Sequence, residues 1–282
     1  GRRVFLWDMA SRKRIAILGD ESTDTLGASF SPDGSTVASG NGKTVVLWDV
    51  KTKSIVRQFT GHGTNVREVK FSLDGRTLAS RGADRRILVW DLRTGRKSGE
   101  LVVKDPFLNF ALSPDGKMVA TGSVEGVGDF MLWDVGTSNR VAVLTGHEDA
   151  VSDLAFSPDG KVLVSASHDG SLFLWDVDNR DRIGAPLRGH SNSIGIDYPA
   201  LVLGVAFSGS GDSMVSAGTD GHVVLWDLRL ASWIDWGCKL AARNLSQVEW
   251  NRFLPGKSYQ RTCRDLPSGA GAPANAPASM PQ

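Results

Sequence analysis

Three things are scarce in this 282-residue chain, and each scarcity removes a class of explanation. Cysteine is the first: Cys238 and Cys263 both sit near the C-terminus. They make no disulfide framework, so the core must rest on packing, and a reducing, cytoplasmic setting is expected. Long apolar runs are the second. No stretch of about 18 apolar residues occurs, so no membrane-spanning helix is expected. Charge of one sign is the third. Lys and Arg number 32 against 31 Asp and Glu, a formal net charge of +1. That balance gives no general reason to expect nucleic acid or an anionic membrane as partner. A signal peptide is also not expected, because Gly1-Arg2-Arg3 leads straight into a strand pattern.

What is plentiful is hydrophobic residues (41%), glycine (32 residues) and tryptophan (nine). This mixture suits many short strands joined by tight turns. The tryptophans are periodic. Trp-Asp pairs stand at 7–8, 48–49, 90–91, 133–134, 175–176 and 226–227, with successive spacings of 41, 42, 43, 42 and 51 residues. Each pair closes an apolar run such as VFLWD, ILVWD or LFLWD. A second motif runs in phase: Phe30-Ser31-Pro32-Asp33-Gly34, Phe71-Ser72-Leu73-Asp74-Gly75, Leu112-Ser113-Pro114-Asp115-Gly116 and Phe156-Ser157-Pro158-Asp159-Gly160, with a degraded copy over Phe207–Asp212. Pro presets φ and Gly supplies a positive φ, so these are turns between strands. A third motif, Gly-His, stands at 61–62, 146–147 and 189–190.

Each repeat reads as four strands, a to d. Strand a precedes the Ser-Pro-Asp-Gly turn and strand c ends in Trp-Asp. The chain then holds two strands of a first unit, four full units, and three strands of a last, or 21 strands. The long last spacing comes from eight extra residues in the d–a loop at Ser191–Leu203, whose tip, Ile194–Pro199, is apolar. The chain does not open with Met and its first unit is cut short. It is therefore expected to be a piece of a longer protein, with a further domain upstream.

Together the three motifs resemble the WD40 family, whose repeats carry Gly-His, four strands and Trp-Asp in about 40–45 residues. The resemblance covers residues 1–230. It implies an all-β propeller, here partial, with about five to six blades of four antiparallel strands and open edges where blade material is missing. A short C-terminal helical tail follows. Residues 231–262 are expected to be a helical cap. There Trp233, Trp236 and Leu240 share a helical face, and Ser246 to Glu249 form a capping box that opens a second helix to Phe253. Residues 263–282 are expected to be a disordered tail, rich in Pro, Ala, Gly and Ser from 266 on. The stretch from Cys238 to Cys263 resembles the segment that follows WD40 repeats in bacterial multidomain proteins, such as signal-transducing ATPases with numerous domains and receptor-like kinases.

The resemblance also implies a buried hydrogen-bonded tetrad in complete repeats. Three repeats match residue by residue: His62, Ser80, Asp84 and Trp90; His147, Ser165, Asp169 and Trp175; His190, Ser216, Asp220 and Trp226. Ser lies 10 and Asp 6 positions before Trp in all three. A Ser-His-Asp set invites a catalytic reading. Threefold recurrence with Trp as terminal partner argues for a structural one. Two repeats lack the His: Gly19-Asp20-Glu21 and Val102-Val103 occupy its place, and these units are expected to be held by apolar packing.

Other chemistry finds little support. Gly42-Lys43-Thr44 and Gly256-Lys257-Ser258 lack the earlier glycine of a phosphate loop, with Val37 and Asn251 in its place. Asp176–Asp181 hints at a calcium loop without its glycine and reads better as a solvated c–d turn. No catalytic residue, cofactor or metal ligand is assigned. The expected function is a non-catalytic protein-interaction scaffold or ligand-sensing module of a larger, bacterial signalling protein. A protein or peptide partner would dock on the face bearing the d–a and b–c loops. Candidate contacts there are Asn65, Arg67, Ala83, Arg85, Ala150, Ser152, His168 and Thr219, with Tyr198 in the insertion. The alternative is a propeller-built hydrolase, or part of a nucleotide-dependent switch enzyme whose catalytic domain lies upstream.

Overall fold

A computed structural model describes residues 3–19, 25–103, 109–122, 128–191, 200–229, 244 and 246–248. Every element among them is a strand, and the 21 strands match the reading of the repeats. The chain divides into two compact units: Gly1–Gly209 with Val215–Val224, and Ser210–Met214 with Leu225–Gln282.

The first sheet pairs β1 (Val4–Asp8) with β2 (Lys13–Leu18). Three antiparallel four-stranded sheets follow in sequence order. They are β3 (Thr25–Phe30) to β6 (Ile55–Thr60), through β4 (Thr36–Asn41) and β5 (Thr44–Asp49); β7 (Val66–Phe71) to β10 (Arg96–Val102), through β8 (Thr77–Gly82) and β9 (Arg86–Asp91); and β11 (Phe110–Leu112) to β14 (Asn139–Leu144), through β12 (Met118–Gly122) and β13 (Phe130–Asp134). A fourth runs from β15 (Val151–Phe156) to β18 (Asp181–Arg188), through β16 (Val162–Ser167) and β17 (Ser171–Asp176). The last sheet has the order β19 (Val202–Phe207), β20 (Ser213–Gly218), β21 (Val223–Asp227).

Burial explains why strands b and c are apolar without alternation. Residues 37–40 of β4 and 45–48 of β5 are buried on both faces, because neighbouring sheets cover both sides. The outer strands keep polar, exposed residues, such as Arg96, Lys97 and Ser98 on β10, which blunts an edge against pairing with other chains. The core is a series of inter-sheet layers. Leu6 and Leu18 pack on Val37, Val46 and Trp48. Phe59 and Leu47 pack on Val69, Leu88 and Trp90. Leu101 and Val89 pack on Phe110, Val119 and Trp133. Phe130 and Leu132 pack on Leu154, Phe173 and Trp175. In each layer the Trp of one sheet fills the space against the sheet before it. Burying one such ring contributes on the order of 2–3 kcal/mol.

The turns explain two of the repeated motifs. In the a–b turns, Ser31, Ser72, Ser113 and Ser157 donate their hydroxyls to Asp33, Asp74, Asp115 and Asp159 at 2.6–2.7 Å. The same carboxylates accept backbone N–H groups two residues on, from Ser35, Arg76, Lys117 and Lys161. Gly34, Gly75, Gly116 and Gly160 follow at φ of 69–74°, a conformation that Gly adopts without strain. In the c–d turns the Asp of each Trp-Asp pair does similar work. Asp49, Asp91, Asp134 and Asp176 accept the N–H three residues on, from Thr52, Thr94, Thr137 and Asn179. The region 176–181 is thus a turn, as its sequence suggests.

In the second unit, the Leu228 N–H donates to the Asp212 carbonyl at 2.8 Å and Arg229 forks onto Asp227. The helices expected over 231–262 lie outside the described residues, apart from 244 and 246–248, and so does the tail from 263.

Candidate functional site

The tetrads form. His62 sits in the loop before β7, Ser80 on β8, Asp84 in the β8–β9 turn and Trp90 on β9. The Trp90 indole donates to Ser80 Oγ at 2.9 Å. Ser80 Oγ lies 2.9 Å from His62 Nε2, and His62 Nδ1 lies 3.2 Å from both Asp84 oxygens. One protonation pattern satisfies every group. The indole donates to Ser, the Ser hydroxyl to Nε2, and the Nδ1–H to the carboxylate, with a neutral ring. Burial pushes His62 below the ordinary imidazole value, against the pull of Asp84, which favours that neutral form.

The second copy is tighter. His147 Nε2 is 2.7 Å from Ser165 and Nδ1 2.8 Å from Asp169, and Trp175 donates to Ser165 at 2.8 Å. It gains two further supports. Ser171 donates to Asp169 at 2.6 Å, and the His147 ring stacks on Phe173 at 4.2 Å. In the third copy His190 bridges Ser216 at 2.8 Å and Asp220 at 3.0 Å. Burial would raise each of these carboxyls, yet hydrogen bonds outweigh it. Asp84 and Asp169 stay below the usual range, and Asp220 falls to about 2.

The carboxylates also reach the loops. Asp84, Asp169 and Asp220 accept the N–H of Gly63, Glu148 and Ser191, each just after its His. They accept as well the N–H two residues on, from Arg86, Ser171 and His222. One half-buried anion thereby fixes the start of the d–a loop and the b–c turn together. Gly82 makes room for this: a Cβ there would overlap the Asp84 carboxylate and the His62 ring.

The two repeats without His keep half of the network. Trp48 donates to Ser39 Oγ at 2.9 Å, and Trp133 to Thr121 Oγ1 at 3.0 Å. The missing His predicts a greater reliance on apolar packing, and the indoles are nonetheless satisfied. The offsets hide this, since Ser39 lies nine and Thr121 twelve positions before Trp.

The candidate contact residues fall into three groups. Asn65, Ala83, Arg85 and Thr219 are exposed on d–a loops and b–c turns, and Arg67 is exposed at the start of β7. His168 and Ser152 are half-buried, and the Ser152 hydroxyl is taken up by the carbonyls of Ala166 and Val202. Ala150 is 6% exposed, which removes it as a contact, and its carbonyl accepts the His168 N–H. Tyr198 lies outside the described residues. The loops pair within each sheet: the Ala83 N–H donates to the Asn65 carbonyl at 3.0 Å, and the Thr219 N–H to the Leu201 carbonyl at 2.9 Å.

A feature without a sequence signal lies on the inner strands. Lys70 on β7 donates to Asn109 Oδ1 at 3.0 Å, Asn109 donates to Asp153 on β15, and Asp153 accepts the Val205 N–H of β19 at 2.9 Å. Burial raises the Asp153 carboxyl above the usual range, partly countered by these donors. Lys70 and Asp153 border a cavity of about 420 Å³, whose other walls include Phe30, Phe71, Phe156 and Phe207. The partners are 39 to 52 residues apart and touch only because strand a of each sheet stands beside the next. Among the described residues no group of three or more His, Cys, Asp or Glu could hold a metal. Gly42-Lys43-Thr44 lies at the β4–β5 hairpin, and Gly256-Lys257-Ser258 outside the described residues.

Four-stranded antiparallel sheets in series, each with a Trp bonded to a buried hydroxyl, define a repeat-built, propeller-like all-β domain. The family model described as "WD domain, G-beta repeat" matches residues 13–49, 53–91, 138–176 and 184–227, more than half of the chain, and the chain belongs to that WD40 family. It is 34% identical over 122 residues to the Periodic tryptophan protein 2 homolog of Neurospora crassa, covering 43% of this chain and 12% of that protein. It is 35% identical over 145 residues to WD repeat and SOCS box-containing protein 1 of Danio rerio, covering 50% and 32%. It is 30% identical over 165 residues to the Guanine nucleotide-binding protein subunit beta of Oryza sativa subsp. japonica, covering 54% and 41%. The chain thus spans less than half the length of these relatives. WD40 repeats serve as protein-interaction scaffolds and are generally non-catalytic.

Proposed function

We propose that this chain captures a protein or peptide partner on the end formed by its d–a loops and b–c turns. One observation carries the reading. Asn65, Ala83, Arg85 and Thr219 are exposed there on loops, and Arg67 beside them at the start of β7, with the loops anchored from beneath by the half-buried carboxylates of Asp84 and Asp220. Side chains on loops set by a rigid scaffold suit recognition. The Ser and His groups that would serve catalysis are buried, and with the half-buried Asp they spend their hydrogen bonds on one another and on the loop backbone. Relatives such as Cell division cycle 20.1, cofactor of APC complex, of Arabidopsis thaliana carry names that point to protein assemblies, which supports a protein as partner. No cofactor enters this reading. The finer reading is a cytoplasmic sensor end of a larger, bacterial signalling protein, supported by the likeness of residues 238–263 to the segment after such repeats.

The test uses the chain as immobilised bait, with captured proteins identified by mass spectrometry. Arg67→Glu with Arg85→Glu is expected to abolish capture of a specific partner while leaving the melting temperature unchanged. Unaltered capture with both substitutions contradicts the placement. An upstream ATPase or kinase motif in the full reading frame would support the sensor role, and its absence would remove it.

A further inference from the structure

Antiparallel pairing puts the a–b and c–d turns at the opposite end of each sheet from the d–a and b–c loops. At the c–d ends of three consecutive sheets cations accumulate. Arg12 and Lys13 follow β1, Lys51 and Lys53 follow β5, and Arg93 and Arg96 follow β9, and all six are exposed. Among the described residues none of these six side chains is held in a hydrogen bond or ion pair. The aspartate of each turn forms no close ion pair with them, although, beside the hydrogen bonds from Thr52 and Thr94, Lys51 and Arg93 help to hold Asp49 and Asp91 below the usual carboxylate range. Asp8, Asp49 and Asp91 are turned inward onto the N–H groups of Ser11, Thr52 and Thr94.

The excess is local. The equivalent turn after β13 holds Asp134 and Arg140, and the one after β17 holds Asp176, Asp178 and Asp181 against Arg180 and Arg182. In a chain of net charge +1, positive charge is therefore gathered on one stretch of three turns. The second and third turns are joined: Arg57 Nη1 on β6 donates to the Leu92 carbonyl beside Arg93 at 2.8 Å. The cations also occupy unfavourable backbone. Arg12 and Lys53 have φ of 55° and 60°, at the position where Gly95, φ 73°, stands in the third turn. Aliphatic side chains lie among them, with Met9, Ile55 and Val56 exposed.

We propose that this end is a second docking surface, for an acidic protein segment with interspersed apolar residues. It is separate from the loop-end partner and does not depend on it. Free cations beside exposed aliphatic side chains match carboxylates alternating with leucine or valine. Base stacking on single-stranded nucleic acid calls for a run of aromatic platforms; Trp7 is exposed at the end of β1, but the turns after β5 and β9 carry no aromatic residue to continue it.

The probe is a fluorescein-labelled peptide alternating Glu and Leu, followed by anisotropy with the whole chain. Binding is expected to weaken about tenfold between about 0.05 M and 0.5 M salt. Lys51→Glu/Lys53→Glu/Arg93→Glu is expected to weaken it by about tenfold or more, whereas Lys117→Glu/Arg140→Glu/Lys161→Glu, the same charge change outside the patch, leaves it intact. Should the reversal fail to fold, the triple Gln variant replaces it. Lys53→Gly separates charge from strain, because it should raise the melting temperature while weakening the peptide. Equal loss from both triple variants, or no loss from the first, overturns the proposal. So does tighter binding to phosphatidylserine vesicles or single-stranded RNA than to the peptide.

Discussion

The sheet β15–β18 and the sheet β3–β6 share a strand order and a buried Trp, yet differ in what holds that Trp. In β15–β18 the indole opens a chain of four groups, Trp175, Ser165, His147 and Asp169, which ends on the loop N–H groups. In β3–β6 it stops at Ser39. Both arrangements satisfy the indole. Only the longer one connects the core to the d–a loop and the b–c turn. The tetrad is therefore a device for fixing loops as much as for stabilising a sheet, and the loops it fixes are those proposed to bind a partner.

Substitutions can break this comparison, starting with the largest effect. Ser165→Ala leaves both the Trp175 N–H and the His147 Nε2 without a partner and should cost about 3 kcal/mol in chemical unfolding; Ser39→Ala orphans one group and should cost about 1.5 kcal/mol. Equal losses would mean that the His and Asp add nothing. Gly82→Ala, by crowding His62 and Asp84, should lose about 2 kcal/mol and free the Gly63 amide to exchange. A Gly→Ala change at Gly34, where no atom lies near, acts only through the backbone and should cost about 1 kcal/mol.

Acid should separate the sheets as well. His62 is depressed on folding, so its contribution is complete above the ordinary imidazole value of 6.5 and is lost as pH falls through its lower folded value. Asp84 is likewise depressed, and its contribution disappears below the ordinary 3.8. Protection of β7–β10, corrected for the intrinsic exchange rate, should decline as pH falls below about 6.5, whereas β3–β6, with no such pair among its described residues, should follow only the intrinsic pH dependence. The smallest effect belongs to the c–d turns. Lys53→Gly relieves a left-handed residue and should gain about 0.5–1 kcal/mol, whereas Gly95→Ala should lose a similar amount.

Much of this architecture is legible in the amino-acid sequence. The repeat spacing, the strand count, two full tetrads and the His–Ser–Asp part of a third follow from motifs that recur in register, because the physics repeats with them. Departures from the period are harder to see. Ser39 and Thr121 do not stand out, because hairpins of different length shift the hydroxyl off the tenth position before Trp. The buried Ala150 reads as a loop residue because it follows the charged pair Glu148-Asp149 and stands just before β15. The Lys70–Asn109–Asp153 chain joins different sheets, and no periodic signal marks contacts between them. The Asp of Trp-Asp is visible as a motif, but its role in the c–d turn is plain only from the N–H groups it accepts.

Native-state hydrogen exchange in the His147→Phe variant tests the central claim most directly. The account predicts that the amides of Glu148 and Ser171, which donate to Asp169, lose protection, and that β15–β18 falls to the level of β11–β14 while β7–β10 is unchanged. Uniform loss across all sheets, or retained protection at Glu148 and Ser171, would contradict it.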